Sequence, residues 1–134
     1  MNIKRYVLAS IAVFIAFQLM DFVIHGPILG SYYMKMTSLW RPEMMSLMWI
    51  MWCTGLVLSF LFVYIFHKGY EGKGILEGIR FGVIIGFLMN FVSAFNQFVI
   101  YPLPLDLTLL WFVFGMAEFI VAGIIVSLIY RRKE

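Results

Sequence analysis

The sequence predicts an all-α polytopic membrane protein: four transmembrane helices in an up-down-up-down bundle, with N and C termini cytoplasmic. Three observations carry this reading. First, 63% of the 134 residues are hydrophobic and only 13% are charged, about half the roughly 25% of a soluble domain. Second, four apolar segments, Tyr6–Ile24, Met44–Phe66, Ile79–Tyr101 and Leu107–Tyr130, each have the ~20 residues needed to cross a ~30 Å hydrocarbon layer. They organise residues 1–134 as a single four-helix transmembrane domain. Third, the basic residues divide unevenly between the two sides. Lys4, Arg5, Lys68, Lys73, Arg80, Arg131, Arg132 and Lys133 fall on one side, and only Lys35 and Arg41 on the other. The positive-inside rule therefore places both ends in the cytoplasm and residues 25–43 and 102–106 outside. These bases flank spans and form no patch, so nucleic-acid binding is not expected.

The first helix follows Lys4-Arg5. Its apolar run reaches Ile24 without a small-x-small cleavage site, so a retained span is expected instead of a signal peptide. Gln18, Asp21 and His25 share one stripe of it, and Gly26-Pro27 is expected to stop it. The following loop holds Tyr32, Tyr33 and Trp40, amphipathic rings that suit a membrane interface, and is expected to lie on the bilayer surface. Pro42 fits the first position of the second helix and Glu43 its positive end. That helix is bulky and mostly lipid-facing. Its Cys53 is the single cysteine, so no intrachain disulfide forms and a buried inert thiol is expected.

The inner loop Gly69-Tyr70-Glu71-Gly72-Lys73-Gly74 lacks the G-x-x-x-x-G-K-[ST] phosphate-binding pattern and reads as a tight solvated turn. Glu77 and Arg80 open the third helix three residues apart, ready to pair. Gly78, Gly82 and Gly86 then recur every fourth residue and lead to Asn90, with Ser93, Asn96 and Gln97 beyond. In water each such glycine costs about 1 kcal/mol relative to alanine. In lipid the stripe lets another helix approach backbone to backbone. The connection Pro102-Leu103-Pro104-Leu105-Asp106 is short, so the last two helices are antiparallel neighbours, with Asp106 as the expected cap. Folding the hairpin about Pro104 sets Asn90 opposite Glu118, Gly86 opposite Ala122 and Ala94 near Gly115. The fourth helix thus offers its own stripe, Gly115, Glu118 and Ala122.

Glu118 lies near the bilayer midplane, where an ionised acid costs about 2.5–3.5 kcal/mol on insertion scales. It reads either as a protonated acid hydrogen-bonded to Asn90 or as a proton or cation site. Asp21 and His25 read as a structural ion pair or as a relay. Met34, Met36, Met44, Met45 and Met48 with His25 form a candidate Cu(I) site, since thioethers are soft ligands; methionine is equally an adaptable core filler. Haem is not expected, because the other histidine, His67, lies a ~30 Å span away. No nucleophile–base set is present, and an enzyme is not expected.

With Asp21-x-x-x-His25-Gly26, Trp40-Arg41-Pro42 and Lys68-Gly69-Tyr70-Glu71-Gly72-Lys73-Gly74 laid out, the chain resembles an uncharacterised group of small bacterial four-helix integral membrane proteins. The resemblance spans nearly the whole length. It implies the architecture and a bacterial inner membrane, and no activity. The leading expectation is a non-enzymatic accessory or structural subunit of a membrane complex, or a homo-oligomer, with lipids and other membrane proteins as partners. The alternatives are a small proton- or cation-coupled transporter or channel using Glu118 and Asp21, and a Met-rich Cu(I)-binding membrane protein. Apart from that Cu(I) alternative, no cofactor is expected.

Overall fold

The computed structural model describes residues 1–131, so the bases Arg132 and Lys133 lie outside the described residues. The chain is helical, with no strand among the described residues. In order it forms α1 (Ile3–Val23), a π-helical turn (Ile24–Ile28), α2 (Gly30–Met34), α3 (Met48–Lys68), α4 (Ile75–Ile100) and α5 (Leu105–Ile129). Short 3₁₀ turns at Thr37–Leu39 and Met44–Leu47 complete the segment between α2 and α3. Four stretches are long and apolar enough to cross a membrane: Ile3–Ile28, Met44–Lys68, Ile75–Ile100 and Leu105–Ile129. Most of each faces outward, as spans in contact with lipid must.

α4 packs along α5, and α1 bridges α5 and α3. The α4–α5 seam is built on glycine. A methyl group at Gly78 would collide with the carbonyl oxygen of Gly123, and one at Gly82 with the carbonyl of Phe119. At Gly86 it would lie 2.8 Å from Phe119 Cβ. Gly115 is pressed equally closely by the Asn90 side chain. Only glycine permits this approach.

The register of the seam differs from the expected one by about a turn. Gly78 meets Gly123 and Ser127, Gly86 meets Met116 and Phe119, and Asn90 meets Gly115; neither Asn90 against Glu118 nor Gly86 against Ala122 forms the seam. The cause is the hairpin. α4 runs on to Ile100, and the turn closes at Pro102-Leu103, where Leu103 N–H donates to the Tyr101 carbonyl at 2.7 Å. Pro104 is then the residue that precedes α5, not the pivot. Asp106 is accordingly not the cap. It sits inside the first turn, accepting from Leu107 N–H at 2.9 Å and from the Tyr32 hydroxyl at 3.0 Å.

α1 does not stop at Gly26-Pro27. Proline at position 27 removes one N–H and crowds the preceding turn, and the helix responds by widening: Leu29 N–H donates to the Ile24 carbonyl, five residues back, at 2.8 Å. The chain after it folds over the end of the bundle. Leu29, Leu103 and Leu107 are buried together there, with Tyr33, Met36 and Trp40 packed against them. Pro42 and Glu43 are exposed and precede α3, which begins only at Met48. Cys53 lies on the outward face of α3, exposed, not buried in protein.

At the opposite end Arg5 donates to the Arg131 carbonyl, tying the start of α1 to the segment that follows α5. Glu77 does not pair with Arg80. Its buried carboxylate accepts from Glu71 N–H at 2.6 Å and Lys73 N–H at 2.7 Å, pinning a loop whose Gly72 and Gly74 adopt positive φ of 78° and 72°. Lys73 and Arg80 converge on Glu71 instead, and hold its carboxyl below the usual carboxylate range.

The seam yields the first test. Overpacking a tight interface costs about 1–3 kcal/mol. Gly82→Ala and Gly123→Ala should each lower stability by at least that amount in mixed-micelle unfolding, whereas Gly26→Ala, with nothing within 4 Å, should leave it unchanged.

Candidate functional site

Successive α-helical residues turn by about 100°. With Gly115, Phe119 and Gly123 against α4, Glu118 is rotated onto the flank of α5 that faces α1. There its carboxyl comes beside the Asp21 carboxyl. Its oxygen Oε1 is buried and has no hydrogen-bond partner. The expected partner, Asn90, is occupied elsewhere: its Nδ2 donates to the Gly86 carbonyl of its own helix at 2.8 Å.

A second set of groups continues from Asp21 toward the capped end. His25, one turn on, places Nε2 3.7 Å from Asp21 Oδ1. On the other side of the ring, Nδ1 lies 2.5 Å from the Tyr33 hydroxyl. Trp111 Nε1–H donates to the same hydroxyl at 2.9 Å. Tyr33 is fixed further by its backbone, which accepts from Trp40 Nε1–H at 3.1 Å. Its ring stacks on His25 with centroids 5.8 Å apart and meets Trp40 edge-on at 5.4 Å. Partial burial pushes the Tyr33 phenol up, Trp111 N–H partly offsets this, and the Asp21 charge adds to the rise. Tyr33 is therefore a neutral donor at ordinary pH.

A cleft of about 320 Å³ opens alongside, between the π-helical turn, α4 and α5, touched by α3 at Met51. His25, Asn90, Ser93, Gln97, Trp111 and Glu118 line it. Gln97 Nε2 donates to Ser93 Oγ at 3.0 Å within α4.

Other candidates are dispersed. Gln18 lies against α3 at Gly55, and Asn96 is exposed. Ala122 is buried on the flank of α5 beside the seam. Of the methionines, Met36 packs inward in the Leu29 cluster, whereas Met34 and Met45 face outward. Among the described residues no three His, Cys, Asp or Glu side chains group as a metal site.

Sequence reasoning missed Tyr33 and Trp111. Trp111 had a readable signal: it lies seven residues before Glu118, two turns along the same stripe. Tyr33 had none beyond its being an aromatic near the interface.

Protein-family models, curated proteins and solved structures were compared with the chain, and none matches it.

The Tyr33 geometry makes a signed prediction. A hydrogen bond to the charged form lowers a pKa, so removing the Trp111 donor should raise the Tyr33 phenol further. In ¹³Cζ-tyrosine NMR, Tyr33 should titrate above the ordinary value of about 10, and higher again in Trp111→Phe. Any stability it contributes is present below the unfolded value and is lost as pH rises through the folded one.

Proposed function

We propose that this chain is a small proton-coupled carrier of the bacterial inner membrane, and that its working groups are the Asp21 and Glu118 carboxyls. The carrying observation is their juxtaposition within the span, with Glu118 Oε1 buried and unpartnered. Two carboxylates side by side in a low-dielectric setting do not both stay ionised, so the pair holds one exchangeable proton. The cleft alongside has the volume of a small-molecule site and supplies amide and hydroxyl groups from Asn90, Ser93 and Gln97. The excess of bases at the end holding Arg5, Lys68, Lys73, Arg80 and Arg131 supports that end as cytoplasmic, with the cleft facing outward.

Two features favour a carrier over an open channel. Below Glu118 the bundle is closed by Phe17, Phe62, Phe66 and Phe119. Phe17 and Phe119 lie 5.2 Å apart between ring centroids, and Phe62 and Phe119 5.7 Å. The buried hydroxyls in that half, Ser10, Ser59 and Ser127, all donate to carbonyls of their own helices.

The rival, a passive accessory subunit, rests on the missing catalytic set and on a Glu118 satisfied by Asn90, whose Nδ2 donates instead to the Gly86 carbonyl. One substitution separates the two readings. In proteoliposomes with an imposed pH gradient and a trapped pH-sensitive dye, the wild-type chain should dissipate the gradient. Glu118→Gln should return the rate to that of empty vesicles with unchanged assembly. Equal rates for the two proteins would support the accessory subunit.

A further inference from the structure

We propose that His25 is the proton-transfer residue connecting the capped end of the bundle to the Asp21–Glu118 pair, with Tyr33, oriented by Trp111, delivering protons to its Nδ1. The inference rests on the proposed role of the pair and adds the route by which it exchanges protons with water.

The direction of the chain follows from which groups are able to donate. Indole N–H is a donor only, so in the 2.9 Å bond between Trp111 and Tyr33 the phenol oxygen accepts. The Tyr33 O–H is then free to donate, and its partner is His25 Nδ1 at 2.5 Å. A neutral imidazole whose Nδ1 accepts carries its hydrogen on Nε2. That is the nitrogen facing Asp21 Oδ1 at 3.7 Å. Trp111, Tyr33, His25 and Asp21 are therefore ordered donor to acceptor, ending at the carboxyl that neighbours Glu118.

The transfer balances. Tyr33 O–H passes its proton to Nδ1 while the phenol oxygen takes one from water at the capped end. The resulting imidazolium releases its Nε2 proton to the Asp21 carboxylate. The net change is one proton lost by water and one gained by the pair. The starting tautomer returns by exchange with water, which takes the Nδ1 proton and gives one to Nε2, with no further net change. At 3.7 Å the last gap exceeds a direct hydrogen bond, and a small ring rotation or one bridging water closes it. Side-chain exposure of 46% for His25 and 47% for Asp21 leaves room for either. The imidazole meets Asp21 on α1 and Tyr33 on α2, and shares its cleft with Met51 on α3, Asn90, Ser93 and Gln97 on α4, and Trp111 and Glu118 on α5.

The test reads proton arrival at the pair directly, without transport. After a pH jump on protein in nanodiscs, the infrared carboxylic-acid band that Glu118→Gln removes should appear with one rate in the wild type. It should appear at least about tenfold more slowly in His25→Ala and Tyr33→Phe, in keeping with the size of general acid–base effects, and reach the same amplitude. Added imidazole should restore the rate in His25→Ala but not in Tyr33→Phe. Unchanged rates in both variants would mean that water in the cleft supplies the pair, and would overturn the relay. As a check independent of any variant's folding, ¹⁵N spectra of the wild type should show Nε2 protonated and Nδ1 not; the reverse tautomer would overturn the assigned direction. A band with the expected His25 dependence in protein that dissipates no pH gradient would remove the carrier and keep the relay. Absence of any such band would remove both.

Discussion

The contact between the Gly78 and Gly123 backbones sets the rest of the structure. Lipid supplies no hydrophobic force to press helices together, so α4 and α5 hold each other through close packing alone, and packing this close requires residues without side chains. Once Gly78, Gly82 and Gly86 face the Gly115–Phe119–Gly123 side of α5, the rotation of α5 about its axis is fixed. Glu118 has no place in that seam and turns toward α1. Trp111, two turns earlier on the same stripe, turns with it and reaches Tyr33. The polar chain is thus a consequence of where the glycines are.

A stripe with a period of four is legible in sequence, because its spacing is that of one helix face. Its register is not. Sliding one four-residue pattern past another by a full turn returns small residues to small residues, so packing alone distinguishes the two alignments weakly. The connection Pro102-Leu103-Pro104 offers two pivots, and only the length of α4, which continues to Ile100, selects the first. That single turn takes Asn90 away from Glu118, and with it the simplest account of how a buried acid is satisfied. Four apolar spans, antiparallel last helices and the glycine face could be read from residue type and spacing. The Asp21–Glu118 juxtaposition could not, since it joins the first and last spans and no local pattern refers to it.

Two smaller departures have the same origin. Glu77 and Arg80 are neighbours on a helix face, yet the loop before α4 folds back so that two of its amides claim the carboxylate first. That fold needs positive φ at Gly72 and Gly74, conformations open to glycine and costly to other residues. Likewise Gly26-Pro27 signals the end of a helix by rule, but a helix end in this position would leave backbone groups without partners near lipid. Widening by one residue keeps the ladder closed: Leu29 finds the Ile24 carbonyl.

The widened turn also bears on the chemistry. Inserting an extra residue changes the direction in which everything beyond it points, and π-turns of this kind recur at functional sites. Here it contains His25, which remains in step with Asp21 at one-turn spacing, and leads to Leu29, which anchors the cap between Leu103 and Leu107. A regular helix through Pro27 would rotate the following segment by about 100° and carry Tyr33 away from the imidazole. The proline therefore joins two requirements that a regular helix meets only separately. The span keeps its backbone bonded through the membrane, and the chain returns over the bundle end with a phenol held against His25 Nδ1.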